Sequence, residues 1–195
     1  MSALDRRAAM ATLLEGRKDD LLVIPGLGST CWDLAAAGDN DRNFYLWGAM
    51  GGAAMIGLGL SLAQPDKRVL VVTGDGEMLM GMGALATIGV KKPANLAVVV
   101  FDNGHYGETG MQPSHTHAGG IDLVAVAKGC GFETALDIRD EAGLSALTGR
   151  LKDLRGTGPL FARVAIDTAE APRVLPERDG VVLKNHFRAA IGLKA

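Results

Sequence analysis

The sequence predicts an α/β fold: a doubly wound parallel sheet with helices on both faces. Three observations carry that reading. Short apolar runs alternate with stretches of helical period, the signature of successive βαβ units. Glycine is abundant, at 27 of 195 residues, as an architecture of many tight strand–helix turns requires. Two of the apolar runs lead to Asp75 and Asn103, each two residues beyond the strand-like stretch. In open α/β sheets, ligands bind at the carboxyl ends of strands.

The elements follow in chain order. Met1 to Lys18 reads as a helix with its charges on one side. Leu21 to Ile24 is a short buried strand, ended by Pro25-Gly26, and Cys31 to Ala37 a helix stopped by Gly38. Phe44 to Trp47 is a short apolar segment, and Gly51 to Ala63 a helix stopped near Pro65. Val69 to Thr73 and Leu96 to Phe101 are strands, with a helix from Glu77 to Val90 between them. Gly104 to Gly120 has no clear period and many polar groups, which marks a functional loop. Helices at Asp122–Lys128 and Glu141–Leu154 alternate with strands at Phe132–Leu136 and Leu160–Ile166. The chain reads as a single domain over residues 1–195, with a tail from about residue 168 that ends in a helix at Leu183–Ile191. The local pattern leaves strand order open.

Composition excludes several function classes. Apolar residues make up 48% of the chain, enough for a full core. A formal net charge of −2 argues against nucleic acid as a partner. The longest apolar region, Ala49 to Ala63, is too short to span a membrane, and the first residues lack the apolar core of a signal peptide. Cys31 and Cys130 lie far apart and form no metal-ligand pattern, so a reduced, cytoplasmic protein is expected.

The chemistry is concentrated in Gly74-Asp75-Gly76 and, about 28 residues later, Asp102-Asn103-Gly104-His105-Tyr106. Flanking glycines let the backbone approach an anion and turn sharply, and the following helix points free N–H groups at the same place. Asp75 and Asn103 offer oxygen ligands suited to a hard cation such as Mg²⁺ carrying phosphate oxygens. Read alone, Gly-Asp-Gly is equally an ordinary turn with an acidic helix cap. Gly26-Leu27-Gly28 follows a strand and begins like a dinucleotide fingerprint. Cys31 stands where its third glycine belongs, and no acidic ribose partner follows. His115 and His117 could contact substrate, move a proton or simply be surface residues, and Gln112 lies in the same loop.

The paired motif resembles the metal–diphosphate motif of thiamine diphosphate enzymes. The resemblance extends to Asn43–Gly51, to the helix Gly76–Gly89 and to the loop Tyr106–Ser114, and covers roughly Leu21 to Ile166. It is nearest to the diphosphate-binding half of the sulfopyruvate and phosphonopyruvate decarboxylases. It implies that Asp75, Asn103 and the carbonyl of His105 bind Mg²⁺. It implies that Gly74, Gly76, Glu77, Tyr106 and Gly107 surround the diphosphate, with the N–H groups of Gly76 and Glu77 holding it. Met50 would wedge between the cofactor rings, and the Gly48 carbonyl would accept a hydrogen bond from the aminopyrimidine. His115, His117 and Gln112 are the candidates for contact with substrate.

The resemblance also implies what is missing. The glutamate that activates the cofactor resides, in these enzymes, on a pyrimidine-binding domain as large as this chain. Glu15, Glu77 and Glu108 sit in the wrong contexts to replace it. A partner α subunit supplying that glutamate is therefore implied, in an assembly of two copies of each chain or larger. The Gly/Ala-rich stretch Gly51–Gly59 suits close packing, either there or within the chain. The expected activity is non-oxidative decarboxylation of a small 2-oxo acid to an aldehyde. The alternatives are carboligation of other 2-oxo acids and a non-catalytic cofactor-binding subunit. The loop Gly104–Gly120 contains no arginine, so a sulfonate or phosphonate site is expected to draw on histidines or on the partner.

Overall fold

The computed structural model describes residues 3–156 and 158–194, and the ends of the predicted first helix and of the predicted domain at Met1, Ser2 and Ala195 lie outside them. Five strands form one parallel sheet: β1 (Leu21–Pro25), β2 (Arg68–Gly74), β3 (Leu96–Asp102), β6 (Thr134–Ile138) and β7 (Leu160–Ala165). Their order is β1-β2-β3-β7-β6. β3 is buried along its whole length, whereas β6, at the sheet edge, is only half-buried. A central parallel strand is covered on both faces and reads as a continuous apolar run, which is why β3 is so plain in the sequence.

The alternation of side chains divides the core into two layers. Val23, Leu70, Val72, Val99 and Val164 point to one face, covered by α1 (Arg6–Leu13), α2 (Ser29–Ala36) and α8 (Glu141–Lys152). Val69, Val71, Val98 and Val100 point to the other, covered by α3 (Ala53–Ala63), α4 (Asp75–Met80), α5 (Gly83–Lys91) and α7 (Leu123–Gly129). This is the doubly wound arrangement that the sequence predicts.

Several boundaries differ from expectation, each for a local reason. The first helix stops at Leu13, and Gly16 turns the chain at φ +67°. The helix expected over Glu77–Val90 is two helices. They part at Gly81, where a Cβ would lie 2.1 Å from the carbonyl oxygen of Gly51, so the 49–52 segment presses into the junction. The strand expected from Phe132 begins at Thr134, because the Phe132 ring is buried edge-on against Phe161 with centroids 6.0 Å apart. The Gly104–Gly120 stretch is not featureless: β4 (His105–Tyr106) pairs with β5 (Gln112–Pro113), and a short helix α6 (His115–Ala118) follows. In the Gly51–Gly59 stretch, Gly57 packs within the chain, since a Cβ there would meet Val71 at 2.2 Å. Gly59 meets nothing.

The tail folds back along the carboxyl edge of the sheet. The indole N–H of Trp47 donates to the Glu177 carbonyl at 2.7 Å, and helix α9 (Gly180–Ala190) sets Phe187 against Phe44 with ring centroids 5.2 Å apart. No helix among the described residues is long and apolar enough to cross a membrane.

At the opposite edge, Asp20 accepts two hydrogen bonds from buried Arg68, at 2.7 and 2.9 Å. These hold its carboxyl down to about 2. A lowered carboxyl pKa adds stability that is present above the unfolded value of 3.8 and is lost as pH falls through about 2. Asp20→Asn is therefore expected to cost about 2 kcal/mol at pH 7 and far less near pH 2, as urea unfolding at both pH values would report.

Candidate active site

A cavity of about 250 Å³ opens at the carboxyl end of the sheet. The turns after four strands supply much of its walls: Leu27 and Ser29 after β1, Gly74–Glu77 after β2, Asn103 and His105–Thr109 after β3, and Thr168–Ala171 after β7. The apolar strands fix where these polar turns emerge, so the site is assembled by the sheet rather than by any one segment.

Asp75 opens α4 and is 2% exposed. Burial raises its pKa, the hydrogen bond from the Ser114 hydroxyl opposes that, and nearby Asp102 adds to the rise. Thr116 Oγ1 donates to Asp102 at 2.8 Å and stands 3.4 Å from Asp75. Asp102 also accepts from the Gly104 N–H at 2.9 Å and from Arg163 Nε at 2.7 Å. Arg163 bridges on to Asp137 at 3.0 Å. Burial works to lower the Arg163 pKa, but the two carboxylates outweigh it and raise it. Sequence reasoning placed Asp102 and Ser114 in its motifs without giving them a role, and it passed over Thr116 and Arg163. The alternation of hydroxyls at 114 and 116 with imidazoles at 115 and 117 was the available signal.

Beside Asp75, Asn103 accepts from the His105 N–H at 2.9 Å through Oδ1. The His105 imidazole Nδ1 lies 2.8 Å from the Asn103 carbonyl. Tyr106 packs on Gly76, where a Cβ would lie 2.6 Å from the ring; only glycine permits that approach. Glu77, 5% exposed, accepts the Leu27 N–H at 2.7 Å and so ties the β1 loop to α4, while its Oε1 has no partner among the described residues. The same approach excludes any side chain at Gly26, where a Cβ would meet Glu77 Oε2 at 2.0 Å. Cys31 is buried behind this loop, and its thiol, hydrogen-bonded to the Gly26 carbonyl, is pushed up to about 12 by burial, which leaves it inert.

Of the other residues singled out in the sequence, Met50 lines the cavity and is 40% exposed. It stands between Ala49 at φ +58° and Gly51 at φ +86°. Gly107 also lines the cavity, and Gly48 does not. His115, His117 and Gln112 are exposed and do not line it. His115 Nδ1 lies 3.1 Å from the Tyr106 hydroxyl, His117 packs on the His105 ring at 5.2 Å, and Gln112 holds the Thr109 carbonyl at 2.7 Å. The 104–120 loop brings no arginine to the cavity, but Arg6 and Arg173 line it, brought there from α1 and from the tail.

Among the described residues there is no cluster of three or more His, Cys, Asp or Glu side chains that could hold a metal. The set near Asp75 is instead one carboxylate, one amide and one carbonyl. Those hard oxygen donors fit Mg²⁺ shared with phosphate oxygens, not a transition metal. A divalent cation would also oppose the burial that raises the Asp75 pKa. The glycine cradle at Gly74–Gly76 fits a phosphate group.

Fold and site together define an α/β domain with a polar cavity at the carboxyl end of its parallel sheet, the place where domains of this architecture bind ligands. The family of thiamine pyrophosphate enzymes, by its C-terminal TPP-binding domain, matches residues 30–164, and the chain belongs to that family. A phosphonopyruvate decarboxylase from Streptomyces viridochromogenes is 38% identical over 95% of this chain and 46% of its own length. Sulfopyruvate decarboxylase subunit beta from Methanocaldococcus jannaschii is 42% identical over 63% of this chain and 64% of the relative. The same subunit from Methanothermobacter thermautotrophicus is 40% identical over 81% of this chain and 80% of the relative. The chain thus spans about half of the first relative and under two thirds of the second. A solved chain from Mycobacterium smegmatis, provisionally assigned to the thiamin diphosphate-dependent enzymes, shares the fold with a TM-score of 0.71 at 24% identity, over 85% of this chain and 32% of that one.

Proposed function

We propose that this chain is the diphosphate-binding subunit of a two-subunit thiamine diphosphate-dependent decarboxylase acting on a small 2-oxo acid, of the sulfopyruvate or phosphonopyruvate type. The observation that carries the reading is buried Asp75 beside Asn103 on the cavity wall, within a family match over residues 30–164. The division of labour is supported by relatives whose names call them subunit beta of sulfopyruvate decarboxylase, one of them matched over 80% of its length.

Asp75, Asn103 and the His105 carbonyl would hold Mg²⁺, and the Gly76 and Glu77 amides, with Gly74, Tyr106 and Gly107 around them, the diphosphate. Met50 would set the angle between the cofactor rings, and the Gly48 carbonyl would hold the pyrimidine amine. Thiamine diphosphate, when bound, supplies the nucleophilic carbon and the electron sink for loss of carbon dioxide. His115, His117 and Gln112 act by shaping the loop that carries His105, Tyr106 and Thr109. As the family resemblance implies, the activating glutamate would come from a partner α subunit, in an α2β2 or larger assembly of the cytoplasm, while Glu77 holds the Leu27 N–H through Oε2.

Co-purification with that partner in Mg²⁺, followed by native mass spectrometry and a carbon dioxide assay on a 2-oxo acid panel, tests the reading. The expected result is a two-chain complex carrying thiamine diphosphate that releases carbon dioxide from sulfopyruvate or phosphonopyruvate. A cofactor-free homo-oligomer, or a loaded complex that decarboxylates no 2-oxo acid, would overturn it.

A further inference from the structure

The neighbouring residues Trp32 and Asp33 of α2 organise two arginines on one wall of the cavity. Asp33 is fully buried and lies 3.0 Å from Arg6 Nε and 3.2 Å from Arg7 Nε. Arg6 is 12% exposed in its side chain and lines the cavity, and its buried Nε makes no hydrogen bond to a described residue. Arg7 donates to the Pro172 carbonyl at 2.6 Å, which fixes the tail just before Arg173. The Arg173 guanidinium then lies 4.2 Å from the centre of the Trp32 ring, a cation–π contact that leaves its N–H edges available. The Trp32 indole N–H, in a residue 8% exposed, has no acceptor among the described residues. The wall therefore concentrates donors that lack acceptors. Glu108, 3.9 Å from Arg173, is a weak and exposed counter-ion there, and Glu170 is the other acid on this side of the cavity.

We propose that Arg6, Arg173 and Trp32 form a subsite for the second anionic group of the substrate, the sulfonate or phosphonate at the end opposite its 2-oxo acid. Such a group offers three oxygens, enough for a planar guanidinium fork on two of them and the indole N–H on the third. The subsite is separate from the Asp75 cradle, because its donors come from α1, α2 and the tail rather than from the β2 and β3 turns. The chain supplies the arginines from its two ends, so the 104–120 loop needs none. The proposal rests on the decarboxylase reading for the identity of the substrate, but its donors can be tested without turnover.

The test is calorimetric titration of sulfoacetate, which carries a sulfonate and a carboxylate but no keto group, into the complex of this chain with its partner, loaded with Mg²⁺ and thiamine diphosphate. Arg173→Gln is expected to weaken sulfoacetate at least tenfold, as loss of a charge-assisted pair does, while leaving thiamine diphosphate affinity within about twofold. Arg173→Lys should recover part of the loss, since it restores the charge without the fork. Arg173 sits on the exposed tail, so the variant folds; Arg6→Gln gives a second reading of the same wall. The ratio of kcat/KM for sulfopyruvate to that for pyruvate should fall with sulfoacetate affinity. Failure of the wild-type complex to bind sulfoacetate, or equal affinity in wild type and both variants, overturns the subsite. So does a loss of thiamine diphosphate affinity as large as the loss for sulfoacetate, which would make these arginines part of the diphosphate cradle. Sulfoacetate binding through Arg173 in a complex that decarboxylates nothing would uphold the subsite and overturn the function.

Discussion

Asp75→Asn is expected to raise the stability of the cofactor-free chain and to abolish its stabilisation by Mg²⁺ and thiamine diphosphate. Asp75 is 2% exposed, and burial lifts its carboxyl above the ordinary value of 3.8. Between the unfolded and the raised native pKa the folded state binds the extra proton, so stability falls as pH rises through that window. Above that window the wild-type chain carries the penalty of a buried charge. An amide keeps an acceptor for the Ser114 hydroxyl and removes the charge. The same change removes the anionic ligand that would attract Mg²⁺. A ligand at a hundred times its dissociation constant stabilises by about 2.7 kcal/mol, or roughly 5–10 °C in Tm for a chain of this size. Thermal scans from pH 4 to pH 8, with and without cofactor, should show a higher and flatter Tm for the variant without cofactor and no response to cofactor. Decarboxylation by the complex should fall at least a thousandfold. A variant that keeps the cofactor-dependent rise in Tm would remove Asp75 from the metal site.

The second large effect is expected at Arg163. Its Nε is 2.7 Å from Asp102, whose side chain is 2% exposed, and its Nη1 is 3.0 Å from Asp137. Arg163→Leu leaves Asp102 charged, buried and without its cation. Removing one partner of a buried pair costs about 3–5 kcal/mol, which for this chain is roughly 10 °C in Tm. Asp102 also accepts from the Gly104 N–H and from Thr116, so the turn that presents Asn103 and His105 loosens with it. Affinity for Mg²⁺ should fall along with stability. Combining Arg163→Leu with Asp102→Asn should recover most of the loss, because the stranded charge is then gone. Equilibrium unfolding of the single and double variants closes that cycle. Additive losses would show that Arg163 acts by packing alone.

The legible part of the fold was the part written locally. Val98–Phe101 is apolar at every position because β3 is covered on both faces, and no other element suits such a run between turns. Asp122 and Asp140 cap their helices by accepting N–H groups one turn in, and the expected starts at Asp122 and Glu141 fall within a residue of the observed ones. The last helix, expected from Leu183, begins instead at Gly180 behind the Asp179 cap. The division of the predicted 77–90 helix at Gly81 was not readable, because its cause is the Gly51 carbonyl thirty residues away.

The candidate site divides in the same way. Gly74-Asp75-Gly76 and Asn103 were evident because the chemistry is carried by consecutive residues at strand ends. His115 and His117 drew attention as imidazoles, yet Ser114 and Thr116 are the side chains that reach the two buried carboxylates. The local signal for those hydroxyls is their alternation with the imidazoles, and it does not say which buried groups they meet.

The sequence by itself determined the strands of the parallel sheet and most of the helices, and it singled out Gly74-Asp75-Gly76 and Asn103 at two strand ends, since each rests on side-chain period or on neighbours within a few positions. Only the tertiary structure decided that Arg163 neutralises Asp102 from 61 residues away, and that Arg6 and Arg173 meet beside Trp32 from the two ends of the chain. Such pairings have no period. They are fixed by the order of the strands in the sheet and by the tail's path across its carboxyl edge, and so exist only once the apolar faces have packed.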